Sequence, residues 1–128
     1  MSYFYAKVVD YGYEEALVKT KEALRVVGFS VVTTIDIQTN LKNAIDKDMK
    51  PYMILGACNP HYASAVTEKE PRIGVLLPCN VLVYVNDDDK VEIAAVNTLE
   101  TMQAVNNMEL AALADEVNNK LMEAIDSL

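Results

Sequence analysis

Two short segments of the sequence contain the residue types best suited to chemistry. The segment GACNPHYASA begins at Gly56 and includes the only histidine of the chain, and the segment LPCNV begins at Leu77. Each contains a cysteine followed by an asparagine. Thiols and imidazoles act as nucleophiles, redox groups or metal ligands, and amide side chains bind polar groups. The candidate site consists of these two Cys-Asn pairs with the two residues after the first: Cys58, Asn59, Pro60, His61, Cys79 and Asn80.

The first Cys-Asn pair lies where the sequence predicts the start of a helix. Asparagine is a favoured N-cap, and a proline at the first helical position loses no hydrogen bond, so Asn59-Pro60 is a good helix start. The backbone amides of His61 and Tyr62 are then expected to be free donors of the first turn. A thiol beside such a helix end, as predicted for Cys58, is typical of thiol-disulfide and nucleophilic enzymes.

Metal binding and redox chemistry are two possible uses of these residues. Cys58, His61 and Cys79 would make a three-ligand metal site, but a structural zinc site usually has four ligands and tight Cys-x-x-Cys spacing. Cys58 and Cys79 would make a redox pair if their strands are neighbours, although neither lies in a Cys-x-x-Cys motif. The alternative is that both thiols are buried and pack as small apolar residues, and this alternative is favoured.

Nucleophilic catalysis and ligand binding are the other two uses. A Cys58–His61 pair oriented by Asn80 or Asn59 is the least favoured, because residues three apart in one helical turn rarely have the required geometry. Asn59, Asn80 and the free amides could instead bind an anion or a small polar ligand. The alternative is that both asparagines only cap helices and form turns.

The composition indicates one domain over residues 1–128. A chain of 128 residues can bury a substantial core, its apolar residues are spread evenly, and it contains no repeat or low-complexity run. The sequence begins without the pattern of a secretory signal and has two cysteines, which predicts a cytoplasmic protein with reduced thiols. Its longest apolar stretch, 73–85, is too short to span a bilayer, so no membrane association is predicted.

The acidic residues are concentrated in the last third of the chain. From Asp87 onward the sequence has ten acidic residues and only two basic ones, Lys90 and Lys120, and this difference accounts for the whole net charge of −8. Such a surface repels phosphate backbones, so nucleic acid is excluded as a partner. The charge is best explained as a solvated helix face and an acidic turn that keep the protein soluble.

The patterns predict alternating strands and helices in the first half and a hairpin followed by a helix in the second. Predicted strands cover 3–9, 29–38, 52–57, 81–85 and 91–96, and NDDDK forms the acidic tip of the hairpin. Three helices are predicted before the hairpin. The first starts at Tyr13 and ends at Gly28, the second is short and follows a cap at Thr39 or Asn40, and the third runs from Pro60 to about Glu70. A closing helix carries an apolar stripe after a capping box of Asn106 and Glu109: Leu110, Leu113, Val117, Leu121, Ile125 and Leu128.

This order, β-α-β-(α)-β-α-β-β-α, predicts an α+β fold. We expect a curved, largely antiparallel sheet with helices packed on one face. A parallel, doubly wound sheet is the alternative, since strands and helices alternate in the first half. No glycine-rich phosphate loop follows any strand, so no nucleotide or other cofactor is predicted.

Three segments resemble the DUF302 family, a domain of unknown function in bacteria and archaea. They are EALRVVGFSVVTTIDIQTNLKNAI from Glu22, PYMILGACNPHYASAV from Pro51 and IGVLLPCNVLVYV from Ile73. The resemblance covers nearly the whole chain, and its most specific parts are GACNP and LLPCNV. It implies a compact α+β unit with a closing helix that pairs as a homodimer.

The resemblance also marks individual positions. The family motif is matched by Gly56, Cys58, Asn59, Pro60, Pro78, Cys79 and Asn80, and Gly28 with Phe29 ends the first helix. His61 is not a motif position, which weakens the hypotheses that need its imidazole. Where the family has Asp-Pro after the fifth strand, this chain has Asn97-Thr98.

Two functional hypotheses follow. The first is a small-ligand, metal or thiol binding or sensing module with its pocket at the two Cys-Asn motifs. The second is a structural or interaction homodimer in which the motif residues only cap and turn the chain. A thiol-dependent enzyme is a distant third.

Overall fold

The computed structural model describes residues 2–128. Its strands are β1 (Phe4–Val9), β2 (Ser30–Asp36), β3 (Tyr52–Cys58), β4 (Cys79–Val85) and β5 (Val91–Val96). Its α-helices are α1 (Tyr13–Val26), α2 (Ile37–Ile45), α3 (Pro60–Lys69), α4 (Thr98–Gln103) and α5 (Met108–Asp126). A 3₁₀ helix over Pro71–Leu76 connects α3 to β4.

The five strands form one antiparallel sheet in the order β1-β5-β4-β3-β2. The predicted α+β fold is therefore confirmed, and the parallel, doubly wound alternative is wrong. Short connections such as the 86–90 turn favour antiparallel pairing of the two strands that they join. In that turn Asn86 Oδ1 accepts hydrogen bonds from the amides of Asp88 and Lys90, each at 3.0 Å.

Helices α1 and α5 pack against one face of the sheet and form the core with it. Strand residues alternate between the two faces, and the buried ones in β4 and β5 face these helices. The predicted stripe of α5 is confirmed, since four of its six residues are fully buried: Leu110, Val117, Leu121 and Ile125.

The opposite face of the sheet keeps many apolar side chains partly exposed. We call it the open face and define it by alternate positions of the central strands and the residues at their ends: Tyr3, Phe4, Tyr52, Ile54, Leu82, Tyr84, Ala94 and Val96. They line a shallow depression of about 360 Å³.

Helix ends follow local side-chain chemistry, and two predicted ends need correction. Gly28 ends α1 as predicted with φ +93°, where its amide and that of Phe29 bond back to the carbonyls of Arg25 and Leu24. Helix α2 begins earlier than predicted, because Asp36 accepts a hydrogen bond from the Thr39 amide at 3.0 Å. The cap of α5 is Asn107, whose Oδ1 accepts from the Glu109 amide at 3.0 Å.

Helix α4 and the 3₁₀ helix were not predicted. Asn97 caps α4 by accepting hydrogen bonds from the amides of Leu99 and Glu100. Among residues 2–128, no helix combines the length and the apolar composition needed to cross a membrane.

Candidate functional site

The register of the sheet brings the two Cys-Asn motifs side by side. Ala57 pairs with Cys79, and Gly56 pairs with Asn80 across the β3–β4 ladder. Cys58 is the last residue of β3 and Cys79 is the first residue of β4. Segments 58–60 and 78–80 therefore meet at one end of the sheet, as the candidate site requires.

Gly56 allows the neighbouring segments to close over this end of the sheet. A Cβ built on Gly56 would lie 2.8 Å from Pro78 Cγ and would also collide with Thr33 Oγ1. Thr33 is the β2 residue that pairs with Gly56, and Pro78 follows a cis peptide bond from Leu77. Because Gly56 has no side chain, Thr33 and Pro78 occupy the space that a Cβ would fill.

Asn59 caps helix α3 as predicted. Its Oδ1 accepts hydrogen bonds from the amides of His61 at 3.1 Å and Tyr62 at 3.2 Å, and Pro60 occupies the first helical position. The two amides that were expected to be free are therefore used within the protein. An anion at this helix start would have to displace the cap, which removes the basis of the predicted anion site.

A cavity of about 280 Å³ lies between the two motifs. We call it the cysteine cavity and define it by its main lining residues: Cys58, Asn59, Tyr62, Leu77, Pro78 and Cys79. Leu77, Pro78 and the two cysteines are among its lining residues, and its wall is mainly apolar. The cavity therefore suits a small and largely apolar group better than a highly charged one.

Tyr62 lines this cavity and has a buried hydroxyl. Its side chain, on the first turn of α3, is only 5% exposed, and its hydroxyl has no hydrogen-bond partner within residues 2–128. Burial, followed by the nearby Cys79 thiol, raises the pKa of Tyr62 to about 12, so the hydroxyl stays protonated near neutral pH. Leaving such a group unbonded costs about 1–3 kcal/mol, which a ligand atom could recover.

The two cysteines differ in their environments. Both are free thiols, but Cys79 is buried while Cys58 is partly exposed. Burial, with a smaller contribution from Cys58, raises the pKa of the Cys79 thiol to about 11. Cys79 is therefore protonated at neutral pH, whereas Cys58 is the thiol that solvent can reach.

Three of the predicted site residues lie outside this cavity. Pro60 and His61 are exposed, and His61 lines a neighbouring depression with Glu116 and Lys120 of α5. Asn80 is exposed on the open face, because it follows Cys79 in β4 and successive strand residues point to opposite faces.

The geometry does not assemble the predicted metal ligands. Cys58 and Cys79 share the cysteine cavity, but His61 lines the other depression. In the described part of the chain, no group of three or more His, Cys, Asp or Glu side chains is arranged to hold a metal ion.

Sequence reasoning missed Tyr62 and Thr33 as parts of the site. From the sequence only the backbone amide of Tyr62 was assigned to the site, yet its position three residues after the Asn59 cap places the residue in the first helical turn beside the motif. Thr33 could not be found from sequence, because its position depends on the register of β2 against Gly56.

The model of the family described as "Domain of unknown function DUF302" matches residues 5–128. The chain belongs to the DUF302 family. A crystal structure of an uncharacterized conserved DUF302 protein from Bacillus stearothermophilus superposes with a TM-score of 0.92. The two sequences are 24% identical and the match covers 98% of each chain, so the comparison shows a common fold. No curated protein matches the chain.

Proposed function

We propose that this DUF302 domain binds a small, mostly apolar molecule carrying one hydrogen-bonding atom. The observation that carries the proposal is that Tyr62, whose side chain lines the cysteine cavity, has a buried hydroxyl for which residues 2–128 supply no partner. Buried polar groups in folded proteins are almost always bonded, to protein or to another molecule. A ligand atom near Tyr62 would satisfy this group, while Leu77 and Pro78 would contact the apolar part of the ligand.

The cavity chemistry narrows the class of ligand. The amides at the start of α3 are bonded to Asn59, and Cys79 is a protonated thiol. The residues around the cavity therefore offer apolar contact area and a few neutral polar groups rather than a set of charge-stabilising groups. Neutral alcohols, ketones and carboxamides fit this description better than phosphates or dicarboxylates.

The test is a ligand screen on matched tyrosine variants. Native mass spectrometry of protein purified without chelator would reveal a retained molecule, and melting curves with cyclohexanol, cyclohexanone and benzamide would measure binding. We expect a dose-dependent rise in melting temperature, with affinity about tenfold weaker in Tyr62→Phe, since a neutral hydrogen bond contributes about 1 kcal/mol or somewhat more.

Tyr3→Phe is the control, because it removes the same hydroxyl from a side chain that is 74% exposed on the open face. Equal affinities of all three proteins for every probe, or no retained molecule and no melting shift at all, would refute the proposal.

The open face favours a second function, formation of a homodimer. Its exposed side chains are mainly aromatic and aliphatic, and large exposed apolar patches usually mark interfaces. Glu92 is the charged residue among those that line this depression, and its carboxylate accepts a 2.6 Å hydrogen bond from the Tyr84 hydroxyl. A second copy would present the same mainly apolar surface, so two open faces can pair through their apolar side chains. A concentration-dependent mass in solution, together with the variant described in the Discussion, tests this proposal.

A further inference from the structure

We infer that the open face binds an organic ammonium ion, a protonated amine with an apolar body, through the Glu92 carboxylate and the rings of Tyr52 and Tyr84. These three residues line the depression of the open face and take no part in the cysteine cavity. The inference therefore goes beyond the proposed function, since it adds a second ligand site and a second chemical class of ligand.

The strand register places these residues in one row across the sheet. Tyr52 pairs with Tyr84, Tyr84 pairs with Glu92, and Glu92 pairs with Val8. Residues that are directly opposite each other in antiparallel strands point to the same face, so the four side chains stand side by side on the open face. The depression that they adjoin has a volume of about 360 Å³, which is within the range of small-molecule sites.

Glu92 is a half-buried carboxylate without a cationic partner. Its Oε2 accepts the 2.6 Å hydrogen bond from the Tyr84 hydroxyl, and within residues 2–128 it forms no ion pair with Lys, Arg or His. Lys50 lines an adjoining depression with both tyrosines, but its ammonium group pairs with the Asp89 carboxylate at 2.7 Å. The row therefore keeps one uncompensated negative charge.

The electrostatic environment of Tyr84 also favours a cation. The hydrogen bond to Glu92, followed by burial and by the charge of Glu92, raises the pKa of Tyr84 to about 12, and Asp87 adds a smaller contribution. Tyr84 is therefore the neutral donor of the pair at neutral pH, and Glu92 carries the negative charge. The same charges that disfavour a tyrosinate stabilise an ammonium ion bound beside it.

The two tyrosine rings supply a second attraction for a cation. The ring centroids of Tyr52 and Tyr84 are 5.6 Å apart and the ring planes are inclined by 56°, so the rings are not stacked face to face. The faces of aromatic rings carry a negative potential that attracts ammonium groups. In the described residues Lys19 lies over the ring of Tyr11, whereas no side-chain cation covers either ring of the row.

The next row of the same face suits the apolar body of the ligand. Ile54, Leu82 and Ala94 are paired across β3, β4 and β5, two residues along each strand from the first row. Two residues of a strand span about 7 Å. An amine held at Glu92 therefore extends a ring or a short chain over aliphatic side chains.

Charge complementarity favours an ammonium ligand over a second copy of the chain. None of the residues that define the open face is Lys or Arg, so a second copy brings no cation to Glu92. An ammonium ion supplies the missing positive charge. Because the ligand and the second copy would cover the same side chains, they compete for the open face.

The experiment titrates ¹⁵N-labelled protein with three probes of nearly the same shape at pH 7: 2-phenylethylamine, a cation; 2-phenylethanol, which is neutral; and phenylacetate, an anion. Backbone amide shifts measured by NMR give both the dissociation constants and the location of binding. In about 20 mM NaCl we expect the amine to bind at least about fivefold more tightly than the alcohol, equivalent to about 1 kcal/mol, with the largest shifts around Tyr84 and Glu92. Phenylacetate should bind most weakly, and about 500 mM NaCl should reduce the preference for the amine because salt screens exposed charges.

Glu92→Gln is the test variant, because glutamine keeps an oxygen that can accept the Tyr84 hydrogen bond and removes the charge. It should bind the amine and the alcohol equally. Glu123→Gln is the matched control, since it removes one exposed carboxylate from α5, away from the open face, and should keep the preference.

An amine that binds no more tightly than the alcohol, or a preference that Glu92→Gln retains, would overturn the inference. Shifts confined to the cysteine cavity would support the proposed function and reject this site, so the two failures are distinguishable. Shifts of the open face that depend on protein dilution alone, without a preference for the amine, would assign this face to a second copy and also reject the site.

Discussion

At the scale of single residues, the environment of each cysteine decides what it can do. Cys58 and Cys79 follow similar local patterns in the sequence, each before an asparagine, but only Cys79 is buried. Burial disfavours the thiolate, which is why the pKa of Cys79 is raised to about 11. The sequence could predict that the two motifs are neighbours, but not which thiol the helices cover.

The raised pKa of Cys79 predicts a loss of stability at alkaline pH. The raised pKa makes the folded state hold its proton more tightly than the unfolded chain, in which a cysteine titrates near 8.5. The contribution of Cys79 is therefore complete below about pH 8.5 and is lost as the pH rises through about 11. The free energy of unfolding should fall over this range by up to about 3 kcal/mol from Cys79 alone.

Urea unfolding of wild type and Cys79→Ala at intervals from pH 7 to 11 checks this prediction, since the variant should show a shallower decline. Cys58→Ala is the control and should retain most of the slope of wild type, because Cys58 makes only the smaller contribution to the raised pKa of Cys79. Parallel declines in wild type and Cys79→Ala would contradict the assignment of this loss to Cys79.

At the scale of secondary-structure elements, the fit between β2, β3 and the segment before β4 depends on Gly56. The Gly56→Ala substitution should destabilise the protein by about 1–3 kcal/mol, because the rigid Pro78 ring lies 2.8 Å from the added Cβ. Thermal or urea unfolding measures the loss. Gly74→Ala is the matched control, since nothing lies within 4 Å of a Cβ at that position. A loss of equal size in both variants would show that close packing at Gly56 is not the cause.

Elements with strong local signals were predictable from the sequence, and those without them were not. Gly28 and Asn59 were predicted correctly as helix ends because a left-handed glycine and an Asn-Pro cap are local features. Helix α4 has six residues and shows no apolar period, although Asn97 followed by Glu100 fits an N-terminal capping pattern. The Asn107 cap was misplaced by one residue because Asn106 has the same side chain.

Side-chain direction was the less predictable part of the site. Placing Cys79 and Asn80 in one pocket conflicts with the two-residue period of a strand, and the structure separates them onto opposite faces. Tyr62 and Cys58 both line the cavity, since a strand end meets a helix start at Asn59, which the sequence did predict. The cavity between them depends on the β2–β3–β4 register, and such long-range pairing has no local sequence signal.

At the scale of the whole molecule, charge and apolar surface are separated. The acidic excess lies in the 86–90 hairpin and the following segments, whereas the open face is mainly apolar. Five strands about 4.8 Å apart and about six residues long give this face a width of about 24 Å and a length of about 20 Å. The resulting area of roughly 500 Å² is below the 800 Å² or so that each partner buries in a standard complex. We therefore expect a concentration-dependent dimer rather than a permanent one.

A charge at the centre of the open face should abolish this dimer. Leu82 lies on β4, the middle strand of the sheet, and Leu82→Arg would place two like charges in a self-complementary interface. Sedimentation equilibrium over a hundredfold range of protein concentration should show dimer for wild type and monomer for the variant. Val18→Arg is the control, because Val18 is 71% exposed on α1 and lies away from the open face. A wild-type mass that stays monomeric throughout, or a dimer that survives Leu82→Arg, would reject pairing through the open face.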